Sequence, residues 1–494
     1  MNHSAQYHLD ISRYNTRRQF LRKCVTGLGG FALGSLLGCG HETNPLVSLA
    51  GDLGMGTNPL AAAPSHFAPR AKRVIFLHMA GAPSQLELFD YKPTLHKLDG
   101  QPCPPSLLEG KRFAFLKGIP NLLGPQTQFA QYGESRTWVS EFLPHFSQWV
   151  DEVSILKAMH TDEFNHAPAQ FYMHTGSPRV GRPSMGSWVA YGLGAENENL
   201  PAFVVLLSGP IDVSAGKSVW GSGFLPTVYQ GVQCHSVGDP VADLANPAGV
   251  SGNLRRKTVE AINQINQREY EEVGDPEILS RISQYELAFR MQTSVPETMN
   301  IDDEPAYIHE MYGTEPGKKS FANNCLLARK LVEKGVRFVQ LFDRRWDHHG
   351  TGKGNGVNDG LKNACETTDK PVAALLTDLK QRGLLDETLV IWGGEFGRTP
   401  MMETRASADY RGRDHHTDAF TMWMAGGGIR KGFTFGETDE IGFSGIKDRV
   451  HIHDLQATIL HCLGLDHERL TFPFQGRNFR LTDVHGHVVR DILG

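Results

Sequence analysis

The residues with the most chemistry in this chain stand in two packets. One is Asp343-Arg344-Arg345-Trp346-Asp347-His348-His349-Gly350; the other runs from Glu395-Phe396-Gly397-Arg398 to Arg413-Asp414-His415-His416. Asp347 and His349 are two positions apart, close enough to grip one ion together. Glu395 and His415 would close the shell from a neighbouring strand end. Imidazole with carboxylate suits zinc, manganese or iron better than copper. A cation so held polarises a substrate oxygen or lowers the pKa of bound water. Arg398, three residues after Glu395, can pair bidentately with a carboxylate, sulfate or phosphate, or simply brace Glu395. His348 and His416 read equally well as solvated neighbours. His451-Ile452-His453-Asp454 is a third packet, where His453 is a possible further ligand and Asp454 sits just ahead of a helix, a capping position. None of these is a strict metal motif such as HExxH.

Strands must deliver these groups. The apolar runs 337–342 and 389–392 are short and rich in Val, Ile, Leu and Phe, as buried strands are. Each ends just before a packet, and open α/β sheets hold their ligands at that edge. A helix over 319–334, stopped by Gly335, precedes the first run. A helix over 372–381 precedes the second. Strand, helix, strand written twice predicts a parallel sheet covered by helices. Further strands are expected at 73–79, 153–156, 202–207 and 419–425, and helices at 138–150, 187–193 and 253–292. Residues 91–136 and 293–318 read as loop and connector. The Gly-, Ser- and Asn-rich passage 208–252 is too long for an ordinary connection, so an insertion around 208–318 is expected over the site face. In Asn165-His166-Ala167-Pro168, the proline suits a first helical turn. Asn165 and His166 would then stand at a helix N-terminus, which favours anions; a capping Asn and a structural His are the other reading. Glu87 and Asp90 read as turn or helix-start acids.

The net charge of −5 and pI near 6.5 give no support for a nucleic-acid partner. The seven cysteines form no CxxC pair, which argues against a disulfide framework or a Cys–zinc site. Residues 1–40 read as an export signal: Thr16-Arg17-Arg18-Gln19-Phe20-Leu21 is a twin-arginine box followed by a weakly apolar run too short to span a bilayer. The expected partner is the twin-arginine translocase, which carries proteins that fold before crossing. Leu36-Leu37-Gly38-Cys39 resembles a lipobox, so a lipid on Cys39 would anchor the chain to a membrane; cleavage nearer Ala61-Ala62-Ala63 is the alternative. Residues 41–70 read as a linker and 71–494 as the folded domain.

The runs HMAGAPSQLELFDYKP, TDEFNHAPAQFYMHTGSPRVGRPSMGSW, RFVQLFDRRWDHHG, LVIWGGEFGRTP and GRDHHTDAFTMWMAGGG, with the last forty or so residues, resemble the bacterial domain-of-unknown-function family 1501 from about residue 73 to the end. That family is placed in the alkaline phosphatase and sulfatase superfamily. The resemblance implies an α/β/α sandwich with a large, mostly parallel sheet, one or two bound metals, and transfer of phosphoryl or sulfuryl groups. Asp347 and His349 resemble the superfamily's aspartate and histidine ligands, and His415 its late histidine. Glu395-Phe396-Gly397 resembles the Asp-His-Gly metal element, with phenylalanine where a second ligand belongs. Asn165 to Gln170 with Thr175-Gly176 is similar to the sulfatase signature, and His166 stands at the nucleophile's position. The first strand should deliver an aspartate; Ala80 and Gly81 stand there instead.

The expectation is an exported hydrolase of sulfate or phosphate esters, small-molecule or polysaccharide, using a divalent cation such as zinc, manganese or calcium. Its ligands would be Asp347, His349, Glu395 and His415, with His166 and Arg398 catalytic and Asn165, His453 and Asp454 as further candidates. The alternative is a non-catalytic exported binding protein on the same scaffold.

Overall fold

A computed structural model describes residues 58–209, 213–403, 405–407 and 409–494. The twin-arginine box, Cys39 and the linker up to residue 57 lie outside the described residues. In chain order, β1 (Arg73–Met79) leads to two short helices, α1 (Gln85–Leu88) and α2 (Pro93–Lys97), and a hairpin of β2 (Phe129–Tyr132) and β3 (Thr137–Ser140). β4 (Val153–His160) runs through a loop into α3 (His166–Thr175) and α4 (Met185–Leu193). β5 (Phe203–Ser208) and β6 (Val232–Cys234) precede α5 (Gly252–Val273), α6 (Pro276–Met299) and α7 (Ala306–Tyr312). Then come α8 (Phe321–Glu333), β7 (Phe338–Asp343), α9 (Gly360–Gln381), β8 (Thr388–Gly393), β9 (Gly397–Met402), β10 (Arg413–His416), β11 (Phe420–Ala425), β12 (Phe433–Phe435) and α10 (Ile452–Cys462).

The central sheet has the order β12-β4-β11-β8-β1-β7-β5-β6, and the short strand Val450–His451 also pairs with β4. Its core is parallel: β1 lies between β7 and β8, and β5 joins β7 to β6. β11 runs antiparallel to both its neighbours, β4 and β8. β7, β8 and β11 are buried along their whole length. Strands covered on both faces read as continuous apolar runs, and that is why these were legible. On one face the Gln340 side chain meets His174 of α3, and Gly186 of α4 lies under the Phe203 ring, where a Cβ would come within 2.6 Å. α8 packs on β1, β5 and β7 with α9 beside it. The chain is thus an α/β fold on a large, mostly parallel sheet.

Several local expectations change. The stretch 138–150 is not a helix: Thr137–Ser140 is a strand of the β2–β3 hairpin and Phe146–Glu152 is a 3₁₀ segment. Pro144 stands between them, and a proline inside a helix removes a hydrogen bond and clashes with the preceding turn. In contrast, α9 starts at Gly360, well before 372, and accommodates Pro371. The connector 293–318 contains the end of α6 and all of α7. Part of the expected linker is docked, since Leu60 O accepts from Ala195 N and His66 N donates to Gly464 O. Among the described residues no helix is long and apolar enough to cross a membrane.

Candidate metal centre

The parallel strands β1, β7 and β8 end at one edge of the sheet, followed by Gly81, by Asp347 and His349, and by Glu395. The loop after β4 brings His166 to the same edge as the first residue of α3. His415 arrives on β10, which pairs antiparallel with β9 so that His415 sits opposite Arg398. The polar segment 413–416 is a buried strand.

Asp347, His349 and His415 converge, and the fourth member of the group is His166 rather than Glu395. Asp347 Oδ1 lies 2.7 Å from His349 Nε2, 3.3 Å from His166 Nε2 and 3.4 Å from His415 Nε2. His349 Nε2 and His415 Nε2 are 3.2 Å apart. One potential ligand atom from each of the four residues lies within 4.8 Å of all the others. A tetrahedral zinc with ligands about 2.0–2.1 Å away has ligand–ligand edges of about 3.3 Å. Three of these four distances fall near that value, and the Asp347–His349 edge is shorter.

Each imidazole is held from behind. His415 Nδ1 donates to the Phe164 carbonyl at 2.7 Å, His349 Nδ1 donates to Glu403, and His166 Nδ1 donates to Glu395 at 2.8 Å. All three rings thus commit the Nδ1 hydrogen outward and aim Nε2 at a common point. Ring-fixing acceptors of this kind orient metal-binding histidines. His166 Nε2 is buried without a hydrogen-bond partner. Two acceptor nitrogens at 3.2 Å repel unless a proton or metal ion lies between them. The donor set and its anchoring therefore fit a divalent cation.

Glu395 serves another purpose. Fully buried, it accepts from Gly81 N at 3.1 Å, Gln170 Nε2 at 3.0 Å and His166, and His78 Nε2 approaches it at 3.3 Å. Its carboxylate faces the back of His166, which corrects its expected place among the ligands. Gly81 occupies the place where an aspartate was expected. Its φ is +113° and an added Cβ would lie 2.5 Å from Asp347 N, so a side chain there collides with the ligand loop. Arg398 also differs from expectation. It is buried, and its guanidinium donates to the carbonyls of Gly81, Ala82 and Arg413 and to Asp347 Oδ1 at 2.5 Å. It braces the Asp347 loop, and it is 1% exposed and absent from the cavity lining, so it is not placed to meet a substrate anion.

The electrostatics follow from these contacts. Burial works against charge on Asp347, but Arg398 and the three imidazoles outweigh it and hold the carboxyl far below its usual range. Glu395 is likewise held well below its ordinary value: burial opposes its charge, and the bonds from His166 and His78 outweigh burial. For His166, burial favours the neutral ring, yet the adjacent carboxylates of Asp347 and Glu395 prevail and push it up to about 9. His415 falls to about 4, chiefly through burial. His166 is thus held in its protonated form at neutral pH in the metal-free chain. His348 is pushed down to about 3 by burial and Arg398, and lies outside the ligand group.

The remaining candidates stand elsewhere. Asn165 caps α3 only by its backbone, is exposed, and does not join the cluster. His453 Nε2 donates to Gly176 O at 3.0 Å, and Asp454 completes a capping box at the start of α10. Neither joins the convergent group. His416 donates to Phe443 O, and Glu87 pairs with Arg413 at 2.6 Å, both fully buried. Glu403 and Gln170 went unrecognised in the sequence. Gln170 had a readable signal, since it stands one helical turn after His166 on the same face. Glu403 had none. A cavity of about 350 Å³ opens beside the cluster, lined by His166, Asp347, Gln170, Ser214, Asn355 and Arg345 among others.

Residues 71–493 match the family described as "Protein of unknown function (DUF1501)", and the chain belongs to that family. No curated protein matches it. Among solved structures it is similar to the lipoteichoic acid synthase LtaP from Listeria monocytogenes, with 10% identity over 86% of this chain and 78% of that one and a TM-score of 0.36. It is also similar to the PsFucS1 sulfatase from Pseudoalteromonas sp., with 12% identity, 87% and 71% coverage and a TM-score of 0.37. A third is the phosphonate monoester hydrolase SpPMH from Silicibacter pomeroyi, with 12% identity, 86% and 76% coverage and a TM-score of 0.33.

Proposed function

We propose that this protein is an exported, metal-dependent hydrolase of sulfate or phosphate esters, its cation held by His166, Asp347, His349 and His415. The observation that carries the reading is the convergence of three back-anchored imidazole nitrogens and one carboxylate oxygen beside a 350 Å³ cavity. A divalent ion there, with zinc favoured by the N₃O donor set, would act as a Lewis acid on an ester oxygen. The chain's own residues prepare the site. Glu395 holds the Nδ1 proton of His166 and so keeps its Nε2 directed at the cluster. Arg398 keeps Asp347 ionised and in place. Gln170, Ser214 and Asn355 line the cavity, where they can hydrogen-bond ester oxygens.

Export rests on the twin-arginine box, with the twin-arginine translocase as partner and a lipid on Cys39 as anchor; labelled-palmitate incorporation that vanishes in Cys39→Ala tests the anchor. Metal analysis of the purified protein, then turnover of aryl sulfate and aryl phosphate with and without chelator, tests the enzyme. Bound metal with chelator-sensitive turnover that is lost in His166→Ala is the expected result. A second reading has one observation in its favour: α3 begins with an imidazole where a hydroxyl or thiol nucleophile would stand. Saturable metal binding without turnover of either ester would favour a non-catalytic binding protein.

A further inference from the structure

We infer that Arg345 is the residue that reads the negative charge of the ligand in this cavity, a specificity-determining role that nothing in the sequence motifs assigned. The inference rests on the reading of the site as one for sulfate or phosphate esters. A bound cation beside Asp347 meets one oxygen of such an anion, and the oxygens turned toward the cavity wall gain from a second cationic partner there. Arg398 does not supply it, because it is 1% exposed, does not line the cavity, and already bonds three carbonyls and Asp347. The arginines among the residues that line the cavity are Arg344 and Arg345, and Arg344 donates to Gly209 O at 3.1 Å.

Arg345 is built differently. Its side chain is 37% exposed and tethered through Nε to Asp343 at 3.4 Å. Asp343 is fully buried at the end of β7 and is itself fixed by Ser208 Oγ and by Trp346 Nε1, each at 3.0 Å. Among the described residues no other protein group bonds to Arg345. A rigid carboxylate therefore holds the inner side of the guanidinium, and the two terminal nitrogens remain for a ligand. That fork matches two oxygens of a tetrahedral oxyanion, which a lysine ammonium does not. Arg345 stands two residues before Asp347, so the same loop that carries a metal ligand also carries the anion reader.

The test is calorimetric titration of the full chain with inorganic sulfate and with inorganic phosphate, for wild type, Arg345→Gln and Arg345→Lys. Thermal melts accompany each protein to separate lost anion binding from any loss of stability caused by leaving buried Asp343 without its cation, a charge that Arg345→Lys retains. Arg345→Gln should weaken both anions about tenfold or more, as expected for loss of charge-assisted hydrogen bonds, and Arg345→Lys should recover only part of that loss. Binding in Arg345→Gln within twofold of wild type overturns the inference, as does a wild type that binds neither anion. Its failure is separable from that of the hydrolase. Arginine-dependent anion binding without ester turnover leaves the inference standing and removes the enzyme. Ester turnover whose KM is unmoved in Arg345→Gln does the reverse.

Discussion

Glu395→Gln is the substitution that most sharply separates a ligand from a group that positions a ligand. Glutamine keeps the shape and one acceptor oxygen but removes the charge that faces His166. In the native arrangement the carboxylate receives Gly81 N at 3.1 Å, Gln170 Nε2 at 3.0 Å and His166 Nδ1 at 2.8 Å. The amide nitrogen of a glutamine would turn a donor toward one or more of these donors. Loss of such an outer partner lowers metal affinity by about 10- to 100-fold, or about 1.4–2.8 kcal/mol. The leftover buried donors cost about 1–3 kcal/mol of folding stability. Competition titration of zinc against a chromophoric chelator gives the first quantity, and urea unfolding of the metal-free protein gives the second. Zinc affinity within twofold of wild type would refute the reasoning, because His166 would then need no steering. Loss of all measurable binding, as severe as in His349→Ala, would refute it in the other direction by making Glu395 a ligand after all.

The buried Glu87–Arg413 pair gives a stability prediction. Arg413→Met alone leaves an uncompensated buried carboxylate and should cost about 3–5 kcal/mol in urea unfolding, while adding Glu87→Met should recover much of that loss. The proton on His166 gives a pH prediction. Its folded value of about 9 lies above the ordinary 6.5, so in metal-free protein its stabilising effect is complete below about pH 6.5 and is lost as pH rises through 9. Zinc competes with that proton, so affinity should rise over the same window, with proton release visible in buffers of different ionisation enthalpy. Both trends should flatten in His166→Gln. Asp454→Ala removes half of the capping box on α10 and should cost about 1 kcal/mol while leaving zinc affinity unchanged, as measured by thermal melts and titration.

The fold was readable wherever burial was two-sided. β1, β7, β8 and β11 are continuous apolar runs because helices or other layers cover both faces, and that alternation of strand and helix fixed the parallel sheet. Local reading failed where tertiary packing overrode it. The helix expected over 372–381 begins at Gly360 and carries Pro371 inside it, and β10 is a strand because Arg413 and His415 are buried against β9, not because their types favour one. The convergence of Asp347, His349 and His415 was recoverable from their residue types beside strand ends. The exchange of Glu395 for His166 was not. Which of two groups at neighbouring chain ends faces the cluster depends on a fraction of a nanometre of loop path, and Gly81 decides it by donating its N–H to Glu395. Arg398 misled for a related reason: its bidentate geometry is real, but carbonyls from the β1 turn consume it.

The most direct measurement is anomalous diffraction from a crystal of the full chain grown with zinc, recorded on both sides of the zinc absorption edge. One peak is expected, within about 2.0–2.2 Å of His166 Nε2, Asp347 Oδ1, His349 Nε2 and His415 Nε2. A peak bonded to Glu395 with His166 turned away, or no peak at this edge of the sheet, would contradict the account.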